Sequence, residues 1–303
     1  MIRGRGAAAA GDYRDRIKRI AGEARLGLIA RGVSADSVDF DSPIRRGRRP
    51  GNARSEFLAN RAMGDWAESA LQAAYNALHT GCVAAKYGNA DRIVAGDEDF
   101  PDFYDAYQAE LATIGKRPDL LLLPEAIATS LGTDDISELP AKALNPVVES
   151  ALAALEVRSS KVFSIEYERI RLAEGRKGAR ACHSFTPKVE DLKLVLKWIG
   201  RFGVPHYYVQ VFFDAVYGVS FERILTILAS GDGFDIERNR NNQEKPTIHI
   251  PIRSGVELGR FAKEPEFRAE TRKTRLARLD AYVVPSGGDL QLDAAKVADL
   301  AAT

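Results

Sequence analysis

The sequence predicts an α/β protein in which a central β-sheet is flanked by helices, and three observations carry that reading. In "RPDLLLLP" (117–124), four consecutive leucines make the short apolar run of a strand buried on both faces. "LEVRSS" (155–160) reads as a second strand. The segment "SFTPKVEDLKLVLKWIGRFGVP" then carries a helical apolar stripe into "HYYVQVFFD" (206–214), which is rich in β-branched and aromatic residues. A strand, a helix and a strand in that order predict a βαβ crossover with parallel, neighbouring strands.

Taken from the N-terminus, Ile17, Ile20, Ala21, Ala24 and Leu28 recur at spacings of three and four and predict a helix over 12–32. "PIRRGRRPGNARSE" (43–56) packs five arginines, two glycines and two prolines without apolar periodicity, which predicts a loop or arm. From Glu56 to about His79 a helix sets Trp66, Ala70, Ala74 and Leu78 on one side. On another side Arg61, Asp65, Glu68 and Gln72 follow one another, so Asp65 and Glu68 share a polar face. Residues 88–111, acidic and aromatic, predict irregular chain with a short helix near its end.

The helix ahead of "HYYVQVFFD" takes Thr186 as N-cap and Pro187 as its first residue. It buries Val189, Leu192, Leu196 and Ile199 and stops at Gly203 and Pro205. Beyond Asp214 come a short helix near 220–229, a turn at "SGDGFD", the polar run "ERNRNNQEKP" (237–246) and a strand "TIHIPI". A helix over "EPEFRAETRKTRLARLDAY" would set Arg268, Arg272 and Arg275 on one face. No linker divides the chain, which reads as one domain over 1–303 with N- and C-terminal elaborations.

Composition excludes several classes. With 303 residues, 45% of them apolar, the chain can bury a large core. Lys plus Arg number 43 against 42 acids, so the protein is not uniformly basic, and any nucleic-acid surface must be local. Two cysteines, Cys82 and Cys182, give neither a disulfide framework nor a zinc spacing, and a reduced, cytoplasmic setting is expected. His79, His183, His206 and His249 lack ligand spacing. No segment approaches the roughly 20 apolar residues of a membrane span, and no membrane association is expected.

The chemistry rests on Asp119, at the start of the leucine strand, and Glu156, on the next. Two carboxylates side by side in a cleft repel each other and call for a hard divalent cation, of which Mg²⁺ is the best candidate. Such a site polarises a phosphodiester and lowers the pKa of a bound water. "GKRPDLLLL", "LEVRSS", "SFTPKVEDL" and "YYVQVFFD" together resemble the PD-(D/E)XK nuclease superfamily, and within it the type II restriction endonucleases of the AccI type, over about residues 56–215.

That resemblance implies a restriction-endonuclease-like mixed sheet and a catalytic core over about 56–215. It also implies Mg²⁺-dependent, sequence-specific cleavage of double-stranded DNA that leaves 5′-phosphate and 3′-hydroxyl ends. A homodimer would act on a palindromic site. Asp119 and Glu156 take the metal-binding roles, and Glu68, with Asp65 after it, resembles the helical acid that often completes such sites. The family's lysine aligns with Arg158, which shares a strand face with Glu156 but stays protonated and is a poor base. Lys188 and then Lys161 are the alternatives for that role.

For DNA contact, the residues ahead of "TIHIPI" supply Arg238, Asn239, Arg240, Asn241, Asn242, Gln243 and Lys245, side chains suited to base edges. Arg45, Arg46, Arg48 and Arg49 suit a backbone-gripping arm. The recognition elements therefore span about 43–55 and 234–280. A non-specific or repair nuclease of the same fold, and a catalytically inactive DNA-binding protein, are the other functions the sequence allows.

Overall fold

The computed structural model describes residues 7–44, 46–88, 93–177, 181–239, 242–273 and 277–302. In chain order these form α1 (Ala7–Ala30), α2 (Ser55–Asn76), β1 (Cys82–Lys86), α3 (Phe100–Ile114), β2 (Leu120–Pro124), α4 (Glu125–Leu131), α5 (Ala141–Glu149) and β3 (Ala153–Ser159). There follow α6 (Ser164–Ala173), β4 (Ser184–Phe185), α7 (Val189–Phe202), β5 (His206–Val211), β6 (Ala215–Ser220), α8 (Phe221–Ser230), β7 (Asp235–Asn239) and β8 (Asn242–Pro251). The chain closes with β9 (Val256–Lys263), β10 (Glu266–Lys273), β11 (Leu279–Ser286), β12 (Asp289–Leu292) and α9 (Ala294–Ala302).

Seven strands form the central sheet in the order β1-β2-β3-β5-β6-β9-β12. It is a mixed sheet, in which β3 and β5 run parallel with Glu156 beside Tyr208 and the other neighbours run antiparallel. The βαβ unit expected from the sequence is therefore present, with α6 and β4 also inside its crossover. On one face Leu121, Leu123, Ala154 and Tyr208 meet Ile17, Leu28, Leu192, Trp198, Ile224 and Leu228 from α1, α7 and α8. On the other, Leu120, Leu155, Val157 and Val209 meet Trp66, Leu71 and Leu300 from α2 and α9. The alternation of β3 puts Glu156 on the first face with Ala154. Where α1 meets α8, a Cβ on Gly27 would lie 1.9 Å from the Leu228 carbonyl oxygen, so only glycine permits that approach.

Four expectations are corrected. The helix expected near the end of 88–111 is present but longer, α3 starting at Phe100 and running past the segment to Ile114. Helix α7 starts at Val189 with Lys188 as N-cap, not at Pro187. Thr186 and Pro187 continue as extended chain because Ile248 N–H donates to Pro187 O and Ser184 and Phe185 pair with β8. Of the polar run 237–246, to which the sequence assigns neither helix nor strand, residues 237–239 belong to β7 and 242–246 to β8, with Glu237 paired to Thr247.

The fourth correction is the largest. The expected helix carrying Arg268 and Arg272 is the hairpin β10–β11, in register from Glu266 opposite Ser286 to Lys273 opposite Leu279. Positions four apart share a face in a strand as they do on a helix, so the arginine spacing fits both. "LDAYVVPS", with its β-branched and aromatic residues, decides for strand. Arg275 lies outside the described residues.

Candidate active site

The antiparallel register of β2 and β3 sets Leu120 opposite Leu155 and, carried one residue further, brings Asp119 to Glu156. Backbone bonds hold that meeting: Asp119 N–H donates to Leu155 O (3.0 Å) and Val157 N–H to Asp119 Oδ2 (2.6 Å). Both residues line a cleft of about 600 Å³ at the end of β3, together with Glu68 from α2, Lys116, Arg158 and Lys161.

Glu156 is 1% exposed, a depth at which a carboxylate needs partners. Lys116 Nζ donates to its Oε1. Arg158 Nη2 stands 3.0 Å from the same oxygen and 2.7 Å from Asp191 Oδ2, in the first turn of α7. Burial pushes the Glu156 carboxyl up, but the charges of Lys116 and Arg158 outweigh it and hold the group below its ordinary range. Burial drives His206 down to about 4 despite the neighbouring Glu156 charge.

Asp119 behaves in the opposite way. Burial, then the Glu156 charge, raises it to about 7. Burial, then the Asp119 charge, raises Glu68 to about 8. Three acids thus crowd one cleft and shift two of their number upward, an arrangement typical of functional sites.

Among the described residues no three His, Cys, Asp or Glu side chains converge on one metal position. The pair Asp119 and Glu156 still fits Mg²⁺, which is commonly held by one or two carboxylates plus substrate phosphates. Glu156 Oε2, buried and without a hydrogen-bond partner among the described residues, is the donor such an ion would satisfy.

The other expected residues are dispersed. Asp65 is exposed beside Arg61 (3.7 Å) and lines a different cleft, toward Arg272 and Tyr282. Lys188 is exposed at the N-cap of α7, its backbone bridged to Thr247, and does not line the cleft. Lys161 is the exception: exposed just past the end of β3, it lines the cleft. Lys116 was missed by the sequence reading, which weighed lysines only downstream of Glu156; the signal was its place three residues before Asp119. Asp191 was visible only as a first-turn acid.

Of the arm, Arg46 pairs with Asp105 on α3 and Gly47 N–H donates to Gln108 Oε1 (3.1 Å), while Arg48 and Arg49 stay exposed. Arg45, Arg240 and Asn241 lie outside the described residues. The backbones of Arg238 and Asn239 belong to β7, and those of Asn242, Gln243 and Lys245 to β8.

A family model of the AccI restriction endonuclease matches residues 23–180 and 172–302. The chain belongs to the AccI restriction endonuclease family. No curated protein and no solved structure matched it. An AccI-type restriction enzyme is a nuclease acting on DNA, and the mixed sheet flanked by helices agrees with a restriction-endonuclease-like fold. Among the described residues no helix is long and apolar enough to cross a membrane.

Proposed function

We propose that this AccI-family enzyme is a Mg²⁺-dependent, sequence-specific endonuclease that cuts double-stranded DNA to 5′-phosphate and 3′-hydroxyl ends. The observation that carries the reading is the pairing of Asp119 with the buried Glu156 in one cleft, under two cations. Asp119 and Glu156 would hold the ion, with Glu68 facing the same cleft from α2. When bound, Mg²⁺ polarises the phosphodiester and lowers the pKa of a water.

The chain's own residues do the rest. Lys116 and Arg158 keep Glu156 ionised and ready to bind a cation. The backbone bonds between Asp119 and β3 fix the separation of the two carboxylates, which catalysis by positioning requires. The exposed Arg48 and Arg49 would neutralise phosphates, and the β7–β8 hairpin, which carries Arg238, Asn239, Asn242 and Lys245, would present donors and acceptors to base edges. A homodimer would match a palindromic site, one subunit cutting each strand.

Digestion of a plasmid of known sequence with Mg²⁺ tests the proposal. Discrete fragments with 5′-phosphate ends support it. A smear favours a non-specific nuclease, and a gel shift without cutting favours an inactive DNA-binding protein.

A further inference from the structure

Resting on the nuclease reading above, the geometry points to Lys116, not Arg158, as the cation that meets the scissile phosphate. Arg158 occupies the strand position two residues after Glu156, yet its guanidinium already faces two carboxylates. One nitrogen is shared between Glu156 and Asp191, at 3.0 and 2.7 Å, and Asp191 ties it to α7. With two carboxylates on it, Arg158 has little charge left for a third anion.

Lys116 is held differently. Like Arg158 it lines the cleft and contacts Glu156, but it does so through an ammonium that carries three donors, one of them used there. Its backbone is fixed at both sides. Gly115, at φ +85°, lies so close to α7 that a Cβ would sit 2.2 Å from the Leu194 carbonyl oxygen. Lys116 N–H donates to that same oxygen (3.3 Å), and three residues on, Asp119 N–H donates to β3. The turn 115–119 therefore delivers an ammonium and a carboxylate to one cleft as a unit. Arg117 in the same turn leads away, to Glu110 (2.6 Å), Ser137 O (3.3 Å) and the face of Tyr87.

In the reaction a water oxygen forms the new P–O bond and the bond from phosphorus to O3′ breaks. The water's proton passes to solvent, and the 3′ oxygen takes up a proton to leave as hydroxyl. Lys116 stays protonated throughout and donates to a non-bridging phosphate oxygen, where charge accumulates. It acts as a fixed cation, not as a base.

The test compares Lys116→Gln, Lys116→Arg and Arg158→Gln with wild type, each checked by circular dichroism and by DNA affinity without divalent ions. Single-turnover cleavage should fall about 10²- to 10³-fold in Lys116→Gln. It should fall less in Arg158→Gln and recover in part in Lys116→Arg, with DNA affinity changed less than about twofold. Mn²⁺ titration followed by electron paramagnetic resonance should show about tenfold tighter binding to Lys116→Gln, because a cation beside Glu156 has gone. Wild-type cleavage by Lys116→Gln, or an unchanged Mn²⁺ affinity, overturns the assignment. If wild type itself does not cut DNA, the nuclease reading fails, and the Mn²⁺ comparison still decides whether Lys116 and the cation share Glu156.

Discussion

Asp119 Oδ2 accepts a 2.6 Å hydrogen bond from the backbone N–H of Val157, so the first candidate metal ligand is fastened to the strand residue that follows the second. A carboxylate so held is both structural and chemical. Asp119→Asn keeps an oxygen acceptor and should abolish cleavage with little effect on folding. Asp119→Ala should also lower stability by about 1–3 kcal/mol, because it frees a buried N–H. Plasmid nicking and urea denaturation measure the two effects, and full activity in either variant contradicts the site.

The crowded acids predict a pH signature. Asp119 and Glu68 titrate near 7 and 8 in the folded chain, against ordinary values of 3.8 and 4.5. Between those limits the folded chain holds protons that the unfolded chain has released, so both groups weaken the fold as pH rises through that window. Glu68→Gln, a permanent stand-in for the protonated acid, should therefore gain stability relative to wild type from about pH 5 to about pH 8 in the absence of divalent ions. A difference that stays flat across that range would refute the crowding.

Gly115 supports the turn on which Lys116 and Asp119 sit. Gly115→Ala adds a Cβ 2.2 Å from Leu194 O at a positive φ, so the turn must shift away from α7. Cleavage should drop about a hundredfold, the cost of misplacing catalytic groups by about 1 Å. DNA affinity measured without divalent ions should be retained, and an unchanged rate would mean the turn does not position the site.

Arg48 and Arg49 are exposed in the arm, whereas Arg46 is held by Asp105. If the first two grip phosphates, each alanine substitution should reduce the slope of log affinity against log salt by about 1, and Arg46→Ala should change it less. Equal slopes for all three would place the DNA elsewhere.

Much of this was legible in the chain because the central strands are written in hydrophobicity. Leu120 to Leu123 could only be buried, and the stripe through Val189, Leu192 and Ile199 could only be a helix against a sheet. The hairpin β10–β11 was misread because Glu, Ala, Arg and Lys carry helix propensity, and tertiary packing of Tyr282 and Val284 toward α2 overrode it. The candidate acids stood out in the sequence, Asp119 and Glu156 as acids on two strands and Glu68 through the resemblance. Lys116 offered only its place three residues before Asp119, since a lysine in a turn has no periodicity. Its relation to Glu156 exists only once β2 pairs with β3 and Gly115 seats on α7.

Metal-dependent catalysis by Asp119 and Glu156 is tested by cleavage of a DNA of known sequence by wild type, Asp119→Asn and Glu156→Gln, with and without Mg²⁺, the ends being mapped. Discrete fragments with 5′-phosphates are expected only from wild type with Mg²⁺. Intact DNA from wild type, or equal cutting by either variant, would contradict that catalysis.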